Sequence, residues 1–370
     1  VEAVASTGGQ LAPPIMGTAA FVMAELVGVN YWNIAAVAVF PAFLFYLGVF
    51  TTIHLIAKRT GLGAVEQSEL PDWRDAFNWY RMGPIVAGIA GLAFGIFNGN
   101  SIQLTACYGM IGIIISYVVL SLSVGISIRE IFKTLVRALE DGGRGVVIVG
   151  ILLVAAQVFV AIVNLTGVGV AVTSSILTLA DGNLILIAII MAIVCLIAGM
   201  GLPTSAAYVL VAAVFAPVLI QQGLPPITVH LFVLYYAVLS VITPPVCVAV
   251  FVAATVAKTS WTGVASQSLR LGVTAYAIPM LMLIYPGLLL QGGAASIAMA
   301  ILAGIGFTLS VAAFFAGQPI FGRFTSVMWA FPSVLLLFPH WPSTIIGVGL
   351  VCMFWILSNR YAASHEANVY

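Results

Sequence analysis

The chain alternates apolar runs of about 20 residues with short polar breaks, the length a helix needs to cross roughly 30 Å of hydrocarbon. The pattern predicts a broken helix over 8–27 and spans at 33–57, 83–98, 101–123 and 144–164. Four more spans follow at 271–290, 296–316, 325–338 and 343–359. Residues 61–81 are polar and carry Trp73, Trp79 and Tyr80, which suits an interfacial segment with aromatic anchors. Over 127–141, Ile128, Ile131, Phe132, Leu135 and Leu139 recur at helical spacing. Arg129, Lys133 and Arg137 fall on another face, so this stretch predicts an amphipathic helix, with a shorter one at 168–180.

Two later stretches break the pattern. Residues 183–198 and 205–220 are apolar helices joined by Gly199-Met200-Gly201-Leu202-Pro203-Thr204. The first is short for a full crossing, so the pair predicts a re-entrant hairpin over 183–220 whose tip stops near the membrane middle. A second broken helix covers 227–257 and is interrupted at Ser240-Val241-Ile242-Thr243-Pro244-Pro245. Its counterpart near the start is Ser6-Thr7-Gly8-Gly9-Gln10, followed by Pro13-Pro14. Each proline removes a backbone hydrogen bond that lipid cannot replace. Such breaks persist only where protein, an ion or trapped water takes their place, and paired breaks in two repeats point to a transporter's binding site.

Composition narrows the class. Of 370 residues, 62% are hydrophobic and 6% charged, and the mean hydropathy is +1.19. A soluble domain carries about 25% charged residues, so an all-α polytopic membrane protein is expected. The basic residues are scattered, which argues against a nucleic-acid partner. The four cysteines lie in apolar segments without CxxC spacing and read as small buried hydrophobes. There is no HExxH, phosphate-binding loop, GxSxG or serine beside a membrane-embedded lysine, so neither an enzyme nor an organic cofactor is expected.

The charge pattern tests the spans. Lys58, Arg59, Arg74, Arg81, Arg129, Lys133, Arg137, Arg144, Lys258, Arg270, Arg323 and Arg360 all fall on one side, and these are all 12 basic residues. By the positive-inside rule that side, with the C-terminus, is cytoplasmic. Reading 183–220 as one crossing would strand Lys258 and Arg270 outside, so the charges favour the hairpin. The same parity runs the two broken helices in opposite directions, as inverted repeats require.

The hairpin tip offers carbonyls at one helix end and N–H groups at the next, and Thr204 is expected to cap the second half-helix. Ser240 and Thr243, one turn apart, bring hydroxyls to the second break. Together with Gly199, Gly201 and Pro203 they suggest a cage for Na⁺ built from neutral oxygens. The plainer alternatives are a kinked hairpin, and hydroxyls bonded back to their own helix. Glu25 lies near the outer end of the first broken helix and Asp181 in an outer loop, so no carboxylate relay for protons is visible. His54 and His230 are expected to be interfacial.

The tip Gly199-Met200-Gly201-Leu202-Pro203-Thr204 and the downstream Thr243-Pro244-Pro245-Val246 resemble the second half of the large membrane subunit of tripartite ATP-independent periplasmic (TRAP) transporters. The run from Glu2 to Gly17 through Pro13-Pro14 resembles the fused permease branch that works with TAXI-type binding proteins. The resemblance covers most of residues 1–290. It implies Na⁺-driven uptake of an organic acid, delivered by a periplasmic solute-binding protein, through an elevator mechanism in the bacterial or archaeal inner membrane. Proton coupling or a channel-like pore are the alternatives. It implies one ion site at Gly199, Gly201, Pro203, Thr204, Ser240, Thr243 and Pro244, and another at Ser6, Thr7, Gly8, Gln10, Pro13 and Pro14. The first repeat would be residues 1–30, with its hairpin missing upstream. Scaffold and linking helices would be 31–126. The second repeat would be 127–290, with an arm helix over 127–141. Residues 291–370 would be C-terminal transmembrane helices. Val1 is not methionine and no signal sequence precedes it, so the chain is expected to be an N-terminally truncated form.

Overall fold

The structure is a computed structural model describing residues 1–14, 16–62, 72, 77–98, 100, 102–321 and 325–366. Its helices in chain order are α1 (Glu2–Gly8), α2 (Thr18–Val27), α3 (Tyr31–Thr60), α4 (Trp79–Phe97), α5 (Ile102–Ser123), α6 (Ile128–Thr166) and α7 (Val168–Leu179). There follow α8 (Leu184–Gly199), α9 (Thr204–Gln221), α10 (Pro226–Leu239), α11 (Val248–Ala257), α12 (Trp261–Ile284), α13 (Ala294–Ala316), α14 (Ala330–Leu335) and α15 (Trp341–Glu366). Short 3-10 turns occupy Ser240–Ile242, Pro286–Leu289 and Thr325–Trp329. Among the described residues there is no strand, and seven helices are long and apolar enough to cross a membrane. The protein is an all-α polytopic membrane protein. Two compact units result: Val1–Leu62 with Leu152–Tyr370, and Gly63–Ile151.

In the smaller unit, α4 and α5 pack through small residues. A side chain at Gly91 would strike the Tyr108 carbonyl, and one at Gly112 the Ala87 carbonyl. Such glycines let two backbones approach where lipid offers no hydrophobic drive. Asn78 starts α4 by accepting the Tyr80 N–H at 2.9 Å. Most of the expected interfacial segment 61–81, including Trp73, lies outside the described residues.

Two sequence expectations change here. The amphipathic stretch 127–141 and the span 144–164 form one helix, α6. Gly142 and Gly143 do not end it, since a helical glycine costs only about 1 kcal/mol and neither meets a neighbour that would bend the chain. The expected span 325–338 is a 3-10 turn and the six-residue α14. This segment still runs antiparallel to α13, because Trp329 donates to the Gln318 carbonyl at 3.1 Å and Ser333 to Ser310 at 2.9 Å. Tyr285 then donates to the Leu336 carbonyl at 2.9 Å.

The larger unit contains a repeat with an offset of 230 residues. It carries α2 (Thr18–Val27) onto α11 (Val248–Ala257), and the left-handed cap Gly28 onto the left-handed cap Lys258. It carries Asn30, which caps α3, onto Ser260, which precedes α12. An aromatic pair closes each copy: Phe21 stacks on Tyr31 at 4.3 Å, and Phe251 meets Trp261 in a tilted contact at 5.0 Å. The two long helices α3 and α12 then meet at Gly48, where an added side chain would collide with the Thr274 hydroxyl. Helix α10 fills the centre, with every residue from Thr228 to Leu239 buried, as an all-round apolar helix must be.

The crossing yields a stability prediction. Gly48→Val should cost about 1–3 kcal/mol of overpacking and lower the melting temperature in detergent by several degrees. Gly349→Ala, which meets nothing within 4 Å, should leave it unchanged or slightly higher.

Candidate functional site

The second break begins where α10 tightens into the 3-10 turn at Ser240–Ile242. Pro244–Pro245 is a cis bond, as is Pro13–Pro14 in the first break. The Thr243 N–H bonds the Ser240 carbonyl at 3.2 Å, and the Cys247 N–H returns to the Thr243 carbonyl at 3.2 Å, closing the loop before α11 starts. The Ser240 hydroxyl donates to the Ala237 carbonyl at 2.7 Å and the Thr243 hydroxyl to the Leu239 carbonyl at 2.7 Å. Thr243 also meets the Tyr276 hydroxyl at 2.7 Å, and the Tyr236 hydroxyl donates to the Tyr276 carbonyl at 2.8 Å.

The hairpin tip lies against this break. A Cβ on Gly199 would sit 2.6 Å from the Ser240 hydroxyl oxygen, so only glycine fits there. Gly201, at φ 77°, occupies the left-handed region and faces Val246, whose Cγ1 lies 3.3 Å from where its Cβ would be. The geometry corrects the capping role expected of Thr204. Pro203 is the cap residue, and Thr204 is the first helical residue with no side-chain bond to the helix. Its hydroxyl has no hydrogen-bond partner among the described residues.

The first break starts earlier than expected, because its leading half-helix is α1 at Glu2–Gly8. Leu11 N–H bonds the Gly8 carbonyl at 2.9 Å, and Gly17 N–H bonds the Gln10 carbonyl at 3.1 Å. The Tyr31 hydroxyl joins Pro14 to Met16, donating to the Pro14 carbonyl at 2.8 Å and accepting from Met16 N–H at 3.3 Å. Ser6 and Thr7 donate to the Glu2 and Ala3 carbonyls at 2.7 and 2.6 Å. Gly8 abuts the rings of Phe45 and Tyr46, and Gln10 packs on Gly17.

Four of the five site hydroxyls, those of Ser6, Thr7, Ser240 and Thr243, therefore bond back to their own helices, the plainer alternative of the sequence reading, and that of Thr204 does not. Donating the proton leaves each oxygen with a free lone pair, so back-bonding and cation ligation are compatible. The two breaks meet on α12: at Gly272, Ile242 of the second break lies 3.3 Å and Val4 of α1 lies 3.5 Å from where a Cβ would stand. A cavity of about 840 Å³ is walled by Ser6 of α1, Ala249 and Ala253 of α11, and Gln267 and Ser268 of α12.

Sequence reasoning missed Tyr276, Tyr31 and Gly272, which hold the breaks from distant helices. For Tyr31 the available signal was the 230-residue spacing of Phe21–Tyr31 and Phe251–Trp261, and Tyr276 and Gly272 had none. Other expectations are also corrected. Cys107 and Cys352 are exposed, on helix faces of a membrane protein, whereas Cys195 and Cys247 are buried. His230 is buried in α10 with its Nδ1 2.7 Å from the Tyr208 hydroxyl, because α10 is enclosed on all sides. His54 is exposed and stacks near Phe50.

A family model described as "Tripartite ATP-independent periplasmic transporter, DctM component" matches residues 1–297. No curated protein matches the chain.

The tip contact makes a coupling prediction. Gly199→Ala should destabilise the protein by about 1–3 kcal/mol, and Ser240→Gly in the same chain should recover part of that loss. A double-mutant cycle in thermal melts checks it, with additive losses as the contrary outcome.

Proposed function

The chain belongs to the DctM family of tripartite ATP-independent periplasmic transporter membrane components, and on that footing we propose that it is a Na⁺-coupled secondary transporter permease of the TAXI-type branch. It takes up an organic acid handed over by a periplasmic solute-binding protein. The observation that carries the reading is the repeated unit of half-helix, Pro-Pro break, half-helix and long helix, with the hairpin tip pressed on the second break. Na⁺ is ligated by the lone pairs of Ser240 and Thr243, by Thr204, and by carbonyls around Gly199, Gly201, Pro203 and Pro244. Ser6, Thr7, Gly8, Gln10, Pro13 and Pro14 form the matching site of the first repeat. Neutral oxygens of this kind suit a hard monovalent cation.

Transport proceeds by an elevator movement, in which the breaks and hairpin travel together against a scaffold. The arm stretch of α6 stays at the cytoplasmic surface of the inner membrane, with its basic face toward anionic lipid. One observation favours a second reading, proton coupling: His230 is a buried imidazole bonded to the Tyr208 hydroxyl on the hairpin's second helix.

The test is uptake into proteoliposomes holding the full-length protein, with the binding protein and substrate outside. An inward Na⁺ gradient should drive uptake, and Thr243→Val or Ser240→Ala should reduce it by on the order of tenfold or more, as expected for losing a charge-assisted contact. Uptake driven by a pH gradient and lost in His230→Gln would favour the proton reading. Flux that ignores both gradients and the binding protein would sink the coupled-transport reading.

A further inference from the structure

Two arginines from different helices meet at the C-terminal end of α13. Arg59 of α3 donates through Nη1 to the Ala316 carbonyl at 3.0 Å. Arg270 of α12 donates through Nη2 to the same carbonyl at 3.1 Å and through Nε to the Phe315 carbonyl at 2.7 Å. Guanidinium groups that share one oxygen stand within a few ångströms of each other. The end of a helix offers only about half a negative charge. Among the described residues neither arginine has a carboxylate partner. Two full positive charges against that half leave the place electropositive and able to bind an anion.

A groove of about 670 Å³ leads away from Arg270. Thr262, Ser266, Arg270, Val273 and Tyr276, spaced by three or four residues, form its floor as one stripe of α12, and Pro244 stands at the deep end. Its lining is mostly apolar, with Trp261, Ala265, Leu269, Val273 and Phe315 around Arg270 and hydroxyls at Thr262, Ser266 and Tyr276. From Arg270 to Tyr276 the helix rises roughly 9 Å, a length that takes the upper part of an acyl chain in a leaflet about 15 Å deep. A free inorganic anion would satisfy the arginines but leave the apolar length empty. A lipid fills both.

We propose that this groove binds an anionic phospholipid. Its phosphate rests on Arg270 and Arg59, and one acyl chain runs past Val273 to Pro244. The site differs from the ion cage but touches it, because Tyr276 both lines the groove and holds the Thr243 hydroxyl at 2.7 Å.

The test is native mass spectrometry of the full chain in detergent, titrated with dioleoyl phosphatidylglycerol or with dioleoyl phosphatidylcholine. The wild type should retain the glycerol lipid better by roughly fivefold for each arginine engaged. Arg270→Gln should bring it to the choline lipid's level. Val273→Trp fills the acyl path and leaves the arginine bonds intact, so it decides the matter even if Arg270→Gln fails to fold. It should reduce retention of phosphatidylglycerol. Equal retention of the two lipids by the wild type would overturn the proposal. So would full displacement of phosphatidylglycerol by millimolar inorganic phosphate with no effect of Val273→Trp, which would mark a free-anion site instead.

Discussion

A bilayer offers no hydrogen bonds, so every backbone group freed by the two Pro-Pro breaks must find its partner inside the protein. Much of the larger unit follows from that constraint. At the second break the chain tightens into a 3-10 turn, and Cys247 N–H returns to the Thr243 carbonyl at 3.2 Å. At the first, Gly17 N–H returns to Gln10, and the Tyr31 hydroxyl reaches in from α3 to take the Pro14 carbonyl at 2.8 Å. Long helices must stand beside each break to supply these groups. That places α3 and α12 against them, and Gly48 and Gly272 are small because the helices and the breaks crowd together there.

The 230-residue repeat shows that the same solution was reached twice. Equal half-helices, left-handed caps at Gly28 and Lys258, and an aromatic pair at each turn fix how the chain leaves the break and enters the long helix. At the first break the Tyr31 hydroxyl joins Pro14 to Met16. At the second the hairpin tip packs on the turn, and Gly199 has no room for a methyl group beside Ser240.

Much of this was legible in the sequence, because apolar length and proline are strong local signals. The hairpin predicted over 183–220 appears as Leu184–Gly199 and Thr204–Gln221, and the second broken helix as Pro226–Leu239 and Val248–Ala257. Weak local signals failed. Gly142-Gly143 read as a boundary, but glycine only permits a break and does not force one. Thr204 read as a cap, but with Pro203 ahead of it the helix starts one residue sooner than that role allows. Tyr276 and Tyr31 were invisible as site residues because their partners lie 33 and 17 residues away, at positions set by packing alone. The back-bonding of the site hydroxyls was foreseeable, but its consequence, oxygens held in place with a lone pair to spare, needed the geometry.

The central claim is that the breaks hold a cation. The most direct measurement is the melting temperature of the purified protein in Na⁺ against K⁺ at equal ionic strength, for the wild type and for Thr243→Val. An ion that binds only the folded state stabilises it by about 2.7 kcal/mol at a hundredfold excess over its dissociation constant. The account predicts a higher melting temperature in Na⁺ that Thr243→Val abolishes. Identical melting in the two salts, at Na⁺ concentrations up to several hundred millimolar (an order-of-magnitude ceiling), would contradict it.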